Sequence, residues 1–256
     1  MRRRTVLGSA ALAGLAGCLF DVGSETPTST PSAARDGLPP ASALGDRPPD
    51  RAVDTDAFAR VDVRGTAVPL VPVDVAHYWF RRRAARFADA RSRRQYDRSH
   101  VLGAVLSTAP DGVADDPVAQ WPAADRVVCY CGCPHHLSSL RAATLLRDGY
   151  EDVYVVDEGF WAWHDRGYPM AGTAVGDEPR LRIVAGRTDP ALAGETVWAI
   201  HEPTGQREAA SIAADGGFDL HLRFADVTPA SAVTLRTPAA TLTAPLRDLT
   251  SGVVSL

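Results

Sequence analysis

The feature that most constrains this chain is a short apolar strand that ends in a cysteine-rich loop and leads directly into a helix. Residues 127–131 have the apolar pattern and length of a buried strand, and a Gly/Pro turn separates them from a helical pattern over 138–148. Ser138 or Ser139 is the expected N-cap of this helix. The pattern therefore places Cys131 at the carboxyl end of a strand, facing a helix N-terminus.

A thiol in that position is predicted to be reactive. The unpaired N–H groups and the positive dipole end of the helix favour a thiolate, so we expect a lowered pKa for Cys131. Three of the four cysteines lie within residues 129–133, which concentrates the thiol chemistry there. We predict Cys131 as the catalytic residue, and its loop consists of Gly132, Cys133, Pro134, His135, His136, Leu137 and Ser138.

The other polar residues of this loop leave several chemistries open. Cys133 is either a redox partner of Cys131 or a small residue that shapes the loop, whereas Cys129 is expected to be a buried structural thiol. His135 and His136 either provide a pH-dependent cation or proton donor, or belong to the loop structure. Thiolates and imidazoles also suit zinc or copper, but six contiguous residues rarely surround one ion, so no metal is predicted.

Residues 1–17 have the pattern of an export signal. Adjacent arginines precede a short apolar stretch that is too short to span a bilayer, and Leu15-Ala16-Gly17-Cys18 is similar to a lipobox. The paired arginines resemble a twin-arginine signal. We expect an exported lipoprotein, anchored to the outer face of the cell membrane through a lipid on Cys18. An uncleaved N-terminal anchor is the alternative.

The charge balance argues against a nucleic-acid partner. All 27 basic residues are arginine, and 31 acidic residues leave a formal net charge of −4. Such a chain has no net basic field that would attract a phosphate backbone.

The remaining chain divides into three predicted regions. Residues 18–55 are rich in Ser, Thr, Pro, Ala and Gly, which predicts a flexible tether. Short strands alternate with helices over residues 56–173, and this rhythm is typical of a parallel α/β sheet flanked by helices. Residues 178–256 read as strands separated by turns, which predicts a small all-β sandwich. His201, Glu202 and His221 are too scattered in this last region to predict a site.

Motifs along residues 73–171 resemble the rhodanese (sulfurtransferase) family, in the expected order. They are an Asp-x-Arg strand end at 87–91, Tyr96 followed by the segment 99–104, the cysteine strand 127–131, the helix and strand 142–154, and the segments 158–163 and 167–169. Glu158 replaces a glycine of the family pattern. The loop resembles a variant written Cys-x-Cys-Pro.

The resemblance implies a rhodanese-like fold and sulfur transfer through a persulfide on Cys131. Asp89 and Arg91 are candidates to orient the loop, and His100 is expected to be a scaffold residue. The implied partners are a small sulfur donor and a thiol acceptor, with no cofactor. The family loop commonly carries an Arg or Lys that attracts thiosulfate, and residues 132–137 contain neither.

Three alternatives remain open at this point. One is thiol redox chemistry at Cys131 and Cys133, and another is a non-catalytic module that binds a metal or a partner. A phosphatase or arsenate reductase would need a Cys-x5-Arg loop, and the corresponding position holds Leu137.

Overall fold

The computed structural model describes residues 36–256. In chain order the strands and helices are β1 (Arg60–Val63), β2 (Thr66–Val71), α1 (Val73–Arg82), β3 (Arg86–Asp89), α2 (Arg93–Arg98), β4 (His100–Val101), β5 (Val105–Leu106), β6 (Val127–Tyr130), α3 (His136–Arg147), β7 (Val153–Val156), α4 (Gly159–Asp165), β8 (Met170–Ala171), β9 (Arg182–Arg187), β10 (Thr196–His201), β11 (Gln206–Ser211), β12 (Gly217–Leu222), β13 (Ala232–Arg236), β14 (Thr241–Pro245), α5 (Leu246–Leu249) and β15 (Val254–Ser255).

The α/β region is built on a mixed sheet with the strand order β1-β2-β7-β6-β3-β5. Neighbouring strands in the order β2-β7-β6-β3-β5 are parallel, as predicted. In contrast, β1 pairs with β2 in an antiparallel hairpin. Helix α1 connects β2 to β3, and helix α3 connects β6 to β7. In the strand order, β6 lies in the interior of the sheet, between β3 and β7. The carboxyl end of β6 therefore opens at the edge where such folds bind ligands.

Successive residues of β6 pack on opposite faces of this sheet. Val128 and Tyr130 join the aromatic core under α1 and α4, which includes Phe80 and Trp163. Val127 and Cys129 join the second core, against α3. All four strand residues are fully buried, as expected of a parallel strand with helices on both faces.

The segment 36–55 packs against the α/β region, which differs from the flexible tether predicted for residues 18–55. The carbonyl of Gly37 accepts a hydrogen bond from the Phe87 N–H at 2.7 Å. The Tyr78 hydroxyl accepts one from the Arg51 N–H at 2.9 Å, and Arg82 Nη1 donates to the Pro48 carbonyl at 2.7 Å. Composition does not reveal these contacts, because side chains of the α/β region supply the partners. The other part of the predicted tether, the signal 1–17 and Cys18 lie outside the described residues.

Helix α3 begins at His136, earlier than predicted. Its N-cap residue is His135, in a left-handed backbone conformation (φ 37°), and no side chain caps the helix N-terminus. The prediction of Ser138 or Ser139 as the N-cap is therefore wrong. Both hydroxyls are engaged elsewhere: Ser138 contacts Cys131, and Ser139 donates to the His135 carbonyl.

The C-terminal region contains additional sheets. One has the order β11-β10-β13-β14 and another has the order β12-β9-β15, and their apolar side chains share one core. Sequence reasoning missed β11, because Gln206–Ser211 contains no β-branched or aromatic residue. The described residues 36–256 fall within one compact unit, so the boundary between residues 173 and 178 stays a prediction. Among the described helices, none has the length and apolarity to cross a membrane.

Gly186 provides a test of the packing in the second of these sheets. Its cross-strand partner is Phe218, and a Cβ atom at position 186 would meet the Phe218 ring at 2.1 Å. We expect Gly186→Ala to displace this buried ring and to lower the free energy of unfolding by about 1–3 kcal/mol in urea denaturation. Gly252→Ala, where a Cβ atom meets nothing within 4 Å, is the control. Equal stability of the two variants would contradict this packing.

Candidate active site

Cys131 follows the last residue of β6 and is fully buried. Its side chain packs with Ala90, Leu137 and Ala209. Ala209 belongs to β11, so a strand of the C-terminal region covers the predicted nucleophile. The α/β region positions the thiol, and the C-terminal region closes over it.

Hydrogen bonds hold the Cys131 thiol in a polar setting despite its burial. Its Sγ lies 3.2 Å from Ser138 Oγ and 3.1 Å from the Cys133 carbonyl oxygen. Burial by itself raises the pKa of Cys131, but hydrogen bonds from the Cys133 side chain, the Ser138 hydroxyl and backbone N–H groups outweigh it and lower the pKa to about 7. Near neutral pH a large fraction of Cys131 is thiolate, which is the nucleophilic form.

In contrast to Cys131, the neighbouring Cys133 and Cys129 have raised pKa values. The hydrogen bond to Cys131, burial and the nearby carboxyl of Glu208 raise the pKa of Cys133 well above its usual value. Burial raises the pKa of Cys129 to about 12, in agreement with the predicted structural thiol. These three thiols are free in the described part of the chain. Cys131 is therefore the reactive thiol of this group.

The loop histidines lie near Cys133, and their lowered pKa values disfavour the cation that was one of the two alternatives for them. Burial, with the neighbouring His135 and His221, lowers the pKa of His136 to about 4, and burial also lowers the pKa of His135. His136 Nδ1 lies 3.8 Å from Cys133 Sγ, and its ring is 6.1 Å from the His221 ring. Both loop histidines are therefore neutral at pH 7. His221, to which the sequence assigned no role, lies beside His136 and Cys133.

Asp89 and Arg91 form a buried ion pair beside the loop. Arg91 Nη2 donates to Asp89 Oδ2 at 2.6 Å and to the Ser99 carbonyl at 2.6 Å. The guanidinium lies 4.0 Å from the centre of the Phe160 ring, and the Phe160 N–H donates to the Cys131 carbonyl at 2.8 Å. The pair thus contacts the residue that fixes the backbone of Cys131.

Gly159 allows α4 to approach this loop. Its backbone is left-handed (φ 77°), and a Cβ atom there would meet the Cys133 carbonyl oxygen at 2.8 Å and the Cys131 carbonyl oxygen at 3.2 Å. Only glycine adopts this conformation at such a short distance without strain. The preceding Glu158 accepts a hydrogen bond from the Val73 N–H at 2.9 Å, so it connects α4 to α1.

Three further predicted site residues have different surroundings. His100 is on β4, where its ring stacks on Tyr96 and its Nδ1 contacts the Tyr96 carbonyl at 2.8 Å. Pro134 is exposed. Gly132 is buried, and Trp161 Nε1 and Glu208 Oε1 lie 3.6 Å and 3.4 Å from the place of a Cβ atom.

Sequence reasoning missed Glu208. This residue of β11 is fully buried, and its Oε2 lies 3.5 Å from Cys133 Sγ. Gln95 of α2 donates to its Oε1 at 3.2 Å. No local pattern marks Glu208, because glutamate is ordinarily exposed and β11 has weak strand propensity.

A cleft of about 210 Å³ lies next to this centre. Its walls come from the β1–β2 hairpin, the start of α3, and β10 and β11, and they include His135, His136, Ser139, Leu140 and Ala209. Within residues 36–256, no group of three or more His, Cys, Asp or Glu side chains is arranged to hold a metal ion.

The hydrogen bond from Ser138 predicts the effect of its removal on the reactivity of Cys131. Ser138→Ala takes away a donor to the thiolate, so the pKa of Cys131 rises from about 7. A higher pKa means less thiolate at a given pH, so we expect the reaction with methyl methanethiosulfonate at pH 7 to slow about three- to fivefold. At high pH both proteins are ionised and the rates converge. Mass spectrometry of the Cys131 peptide measures the rate, Ser139→Ala is the control, and unchanged pH dependence would contradict this role.

The close approach at Gly159 predicts a specific cost for an added methyl group. Gly159→Ala adds both a strained left-handed backbone and a clash with two loop carbonyls, so we expect a loss of about 2–4 kcal/mol in urea denaturation. Gly149 also has a positive φ, but a Cβ atom there meets nothing within 4 Å. Gly149→Ala therefore measures the backbone strain alone, and an equal loss in both variants would argue against the clash.

Comparison with known proteins identifies the α/β region. The rhodanese-like domain matches residues 76–166. The thiosulfate sulfurtransferase GlpE of Vibrio cholerae is 31% identical over 101 residues, which is 39% of this chain and 92% of that protein.

Two solved structures are each similar to part of the chain. The rhodanese-like domain of the Alr3790 protein from Anabaena is 22% identical, covering 44% of this chain and 85% of its own, with a TM-score of 0.39. The BH2092 protein from Bacillus halodurans is 15% identical, covering 41% of this chain and 77% of its own, with a TM-score of 0.37. With its relative covered nearly in full and Cys131 at the end of β6, this chain belongs to the rhodanese-like domain family through residues 76–166.

Proposed function

We propose that this protein is a sulfurtransferase that carries sulfane sulfur as a persulfide on Cys131. The observation that carries the proposal is a thiol with a pKa lowered to about 7, at a strand end, hydrogen-bonded to Ser138 and Cys133. The similarity to a protein named thiosulfate sulfurtransferase supports the same reaction class.

The proposed reaction has two nucleophilic steps. The Cys131 thiolate attacks the terminal sulfur of a donor R–S–S⁻, the donor S–S bond breaks, R–S⁻ leaves, and Cys131–S–S⁻ forms. An acceptor thiolate then attacks the outer sulfur of this persulfide, and the Cys131 thiolate is regenerated. Neither step has a net proton requirement, and the N–H groups at the start of α3 stabilise the anion that both steps share.

The surroundings of Cys131 favour a small donor of low charge. The thiol is fully buried under Ala209, and the adjacent cleft of about 210 Å³ suits a small molecule rather than a protein thiol. The neighbouring charge of Arg91 is neutralised by Asp89, and His136 is neutral at pH 7 because its pKa is lowered to about 4. A hydropersulfide R–S–S⁻ with a single negative charge therefore fits this site better than dianionic thiosulfate.

The sequence of residues 1–18 supports a location outside the cytoplasm. The paired arginines and the lipobox-like segment ending at Cys18 are the basis for proposing an exported lipoprotein, held at the membrane by acyl chains on Cys18. The proposed donor and acceptor are then small molecules of the extracytoplasmic space.

Thiol redox chemistry is a second candidate, because Cys133 lies two residues from Cys131 and its side chain is one of the groups that lower the pKa of Cys131. The Cys131 thiolate would attack a small disulfide R–S–S–R, releasing R–S⁻ and forming a mixed disulfide. Attack by Cys133 would then release the second R–S⁻, transfer one proton to solvent, and leave a Cys131–Cys133 disulfide.

Mass spectrometry separates the two candidates. After incubation with polysulfide, thiosulfate or mercaptopyruvate, we expect the Cys131 peptide to gain the mass of one sulfur atom, because the thiolate accepts a single sulfane sulfur. Cyanide should remove this sulfur, Cys131→Ser should abolish the gain, and the control Cys129→Ala should keep it. A loss of two hydrogens across the 131–133 segment instead would favour redox chemistry. No adduct with any donor would contradict sulfur transfer.

A further inference from the structure

The C-terminal region contributes one acidic side chain to the thiol pair. Glu208 lies on β11, outside residues 76–166 that match the family, and it is fully buried. Its Oε1 accepts a hydrogen bond from Gln95 Nε2 at 3.2 Å, and its Oε2 lies 3.5 Å from Cys133 Sγ. The carboxyl group thus connects α2 to the active-site loop.

This carboxyl group has no ion-pair partner among the salt bridges of residues 36–256. The neighbouring Arg91 is engaged by Asp89 at 2.6 Å. A buried carboxylate without a paired cation is costly, so the neutral acid is favoured. Burial, followed by the negative charge on Cys131, raises the pKa of Glu208 to about 8. Glu208 therefore holds a proton at pH 7.

A protonated Glu208 changes which atom donates in this cluster. Its O–H donates to Cys133 Sγ, so the Cys133 S–H is free to donate to the Cys131 thiolate. An ionised Glu208 would instead accept the Cys133 S–H, and the thiolate would lose that donor. One proton on the carboxyl group thus determines the direction of the hydrogen bonds from β11 to Cys131.

We propose that Glu208 is a positioning residue, whose carboxyl group holds the Cys133 thiol against Cys131 so that the C-terminal region completes the active site. The inference rests on the proposed function only in taking Cys131 as the nucleophile. Glu208 acts through Cys133 and has no contact of its own with the reacting sulfur.

The other charged or titratable residues that face this cluster are Arg91, His136 and His221. Arg91 is paired with Asp89, and His136 on α3 is neutral because burial and its neighbours lower its pKa to about 4. On β12, His221 presents its backbone carbonyl, 3.8 Å from Cys133 Sγ. Among the groups in this cluster, the Glu208 carboxyl group has the pKa closest to that of Cys131. The titrations of these two groups therefore interact.

The test is the titration of the Cys131 thiolate in the full chain, followed by ultraviolet absorbance relative to a matched Cys131→Ser protein. We expect Glu208→Leu to raise the midpoint by about one pH unit or more, because Cys133 loses its anchor and Cys131 loses a donor. This rise means about fivefold less thiolate at pH 7. Glu208→Gln keeps a donor to Cys133, so we expect its Cys131 midpoint to stay within about half a pH unit of that of the unmodified chain. Because no second group then titrates beside Cys131, its titration curve should have the width expected of a single ionising group.

Glu202→Leu, at an exposed position just before β11, is the matched control and should titrate as the unmodified chain does. Cys133→Ala should raise the midpoint as Glu208→Leu does, and the double variant should show no further rise, since both changes remove the same donor. A folded Glu208→Leu variant with an unchanged midpoint would overturn the proposal, as would additive shifts in the double variant.

The same titration covers a Glu208→Leu variant that does not fold and a protein that forms no persulfide. If Glu208→Leu does not fold, Cys133→Ala is titrated alone and with Glu208→Gln, and an unchanged midpoint in Cys133→Ala overturns the proposal. The titration needs no sulfur donor, so a protein that forms no persulfide adduct contradicts the proposed function while the positioning role is still measured.

Discussion

The contact between β11 and the Cys131 loop connects the two regions of this protein. The parallel sheet delivers Cys131 to the carboxyl end of β6, but Ala209 and Glu208 of β11 cover that end. Burial raises the free energy of a thiolate unless hydrogen bonds compensate it. The loop and the start of α3 provide those bonds through Ser138 and Cys133, so a nucleophilic thiol and a closed site coexist.

The buried ion pair of Asp89 and Arg91 supports this arrangement from the side of the sheet. Both side chains are almost fully inaccessible, and a buried pair is tolerated only when its remaining hydrogen-bonding groups are satisfied. The Ser99 carbonyl and the Phe160 ring meet that requirement. Because Phe160 also binds the Cys131 carbonyl, the pair and α4 keep the loop backbone in one position. Gly159 permits this approach, since any side chain there would contact the loop carbonyls.

The local environment also limits the chemistry. A loop with a permanent cation attracts a dianion, whereas here burial lowers the pKa of His136 to about 4 and raises the pKa of the nearby Glu208 carboxyl group to about 8. These neutral groups supply little electrostatic attraction for a dianion, in line with the weakly charged donor proposed above. The covering strand β11 also buries the thiol, and a cleft of about 210 Å³ lies next to its loop.

Sequence alone determined the alternation of strands and helices, the strand-loop-helix unit and the place of Cys131 at the end of its strand, because apolar periodicity and cysteine spacing are local properties of the chain. It also predicted most of the C-terminal strands from their alternation. The packing of segment 36–55, the start of α3 at His136 and the strand β11 were decided by tertiary contacts. Glu208 illustrates the physical reason: its burial and its hydrogen bonds to Gln95 and Cys133 depend on partners 113 and 75 residues away. No local pattern encodes contacts over such sequence separations, so the place of Cys131 after a buried strand was predictable and the contact of Glu208 with Cys133 was not.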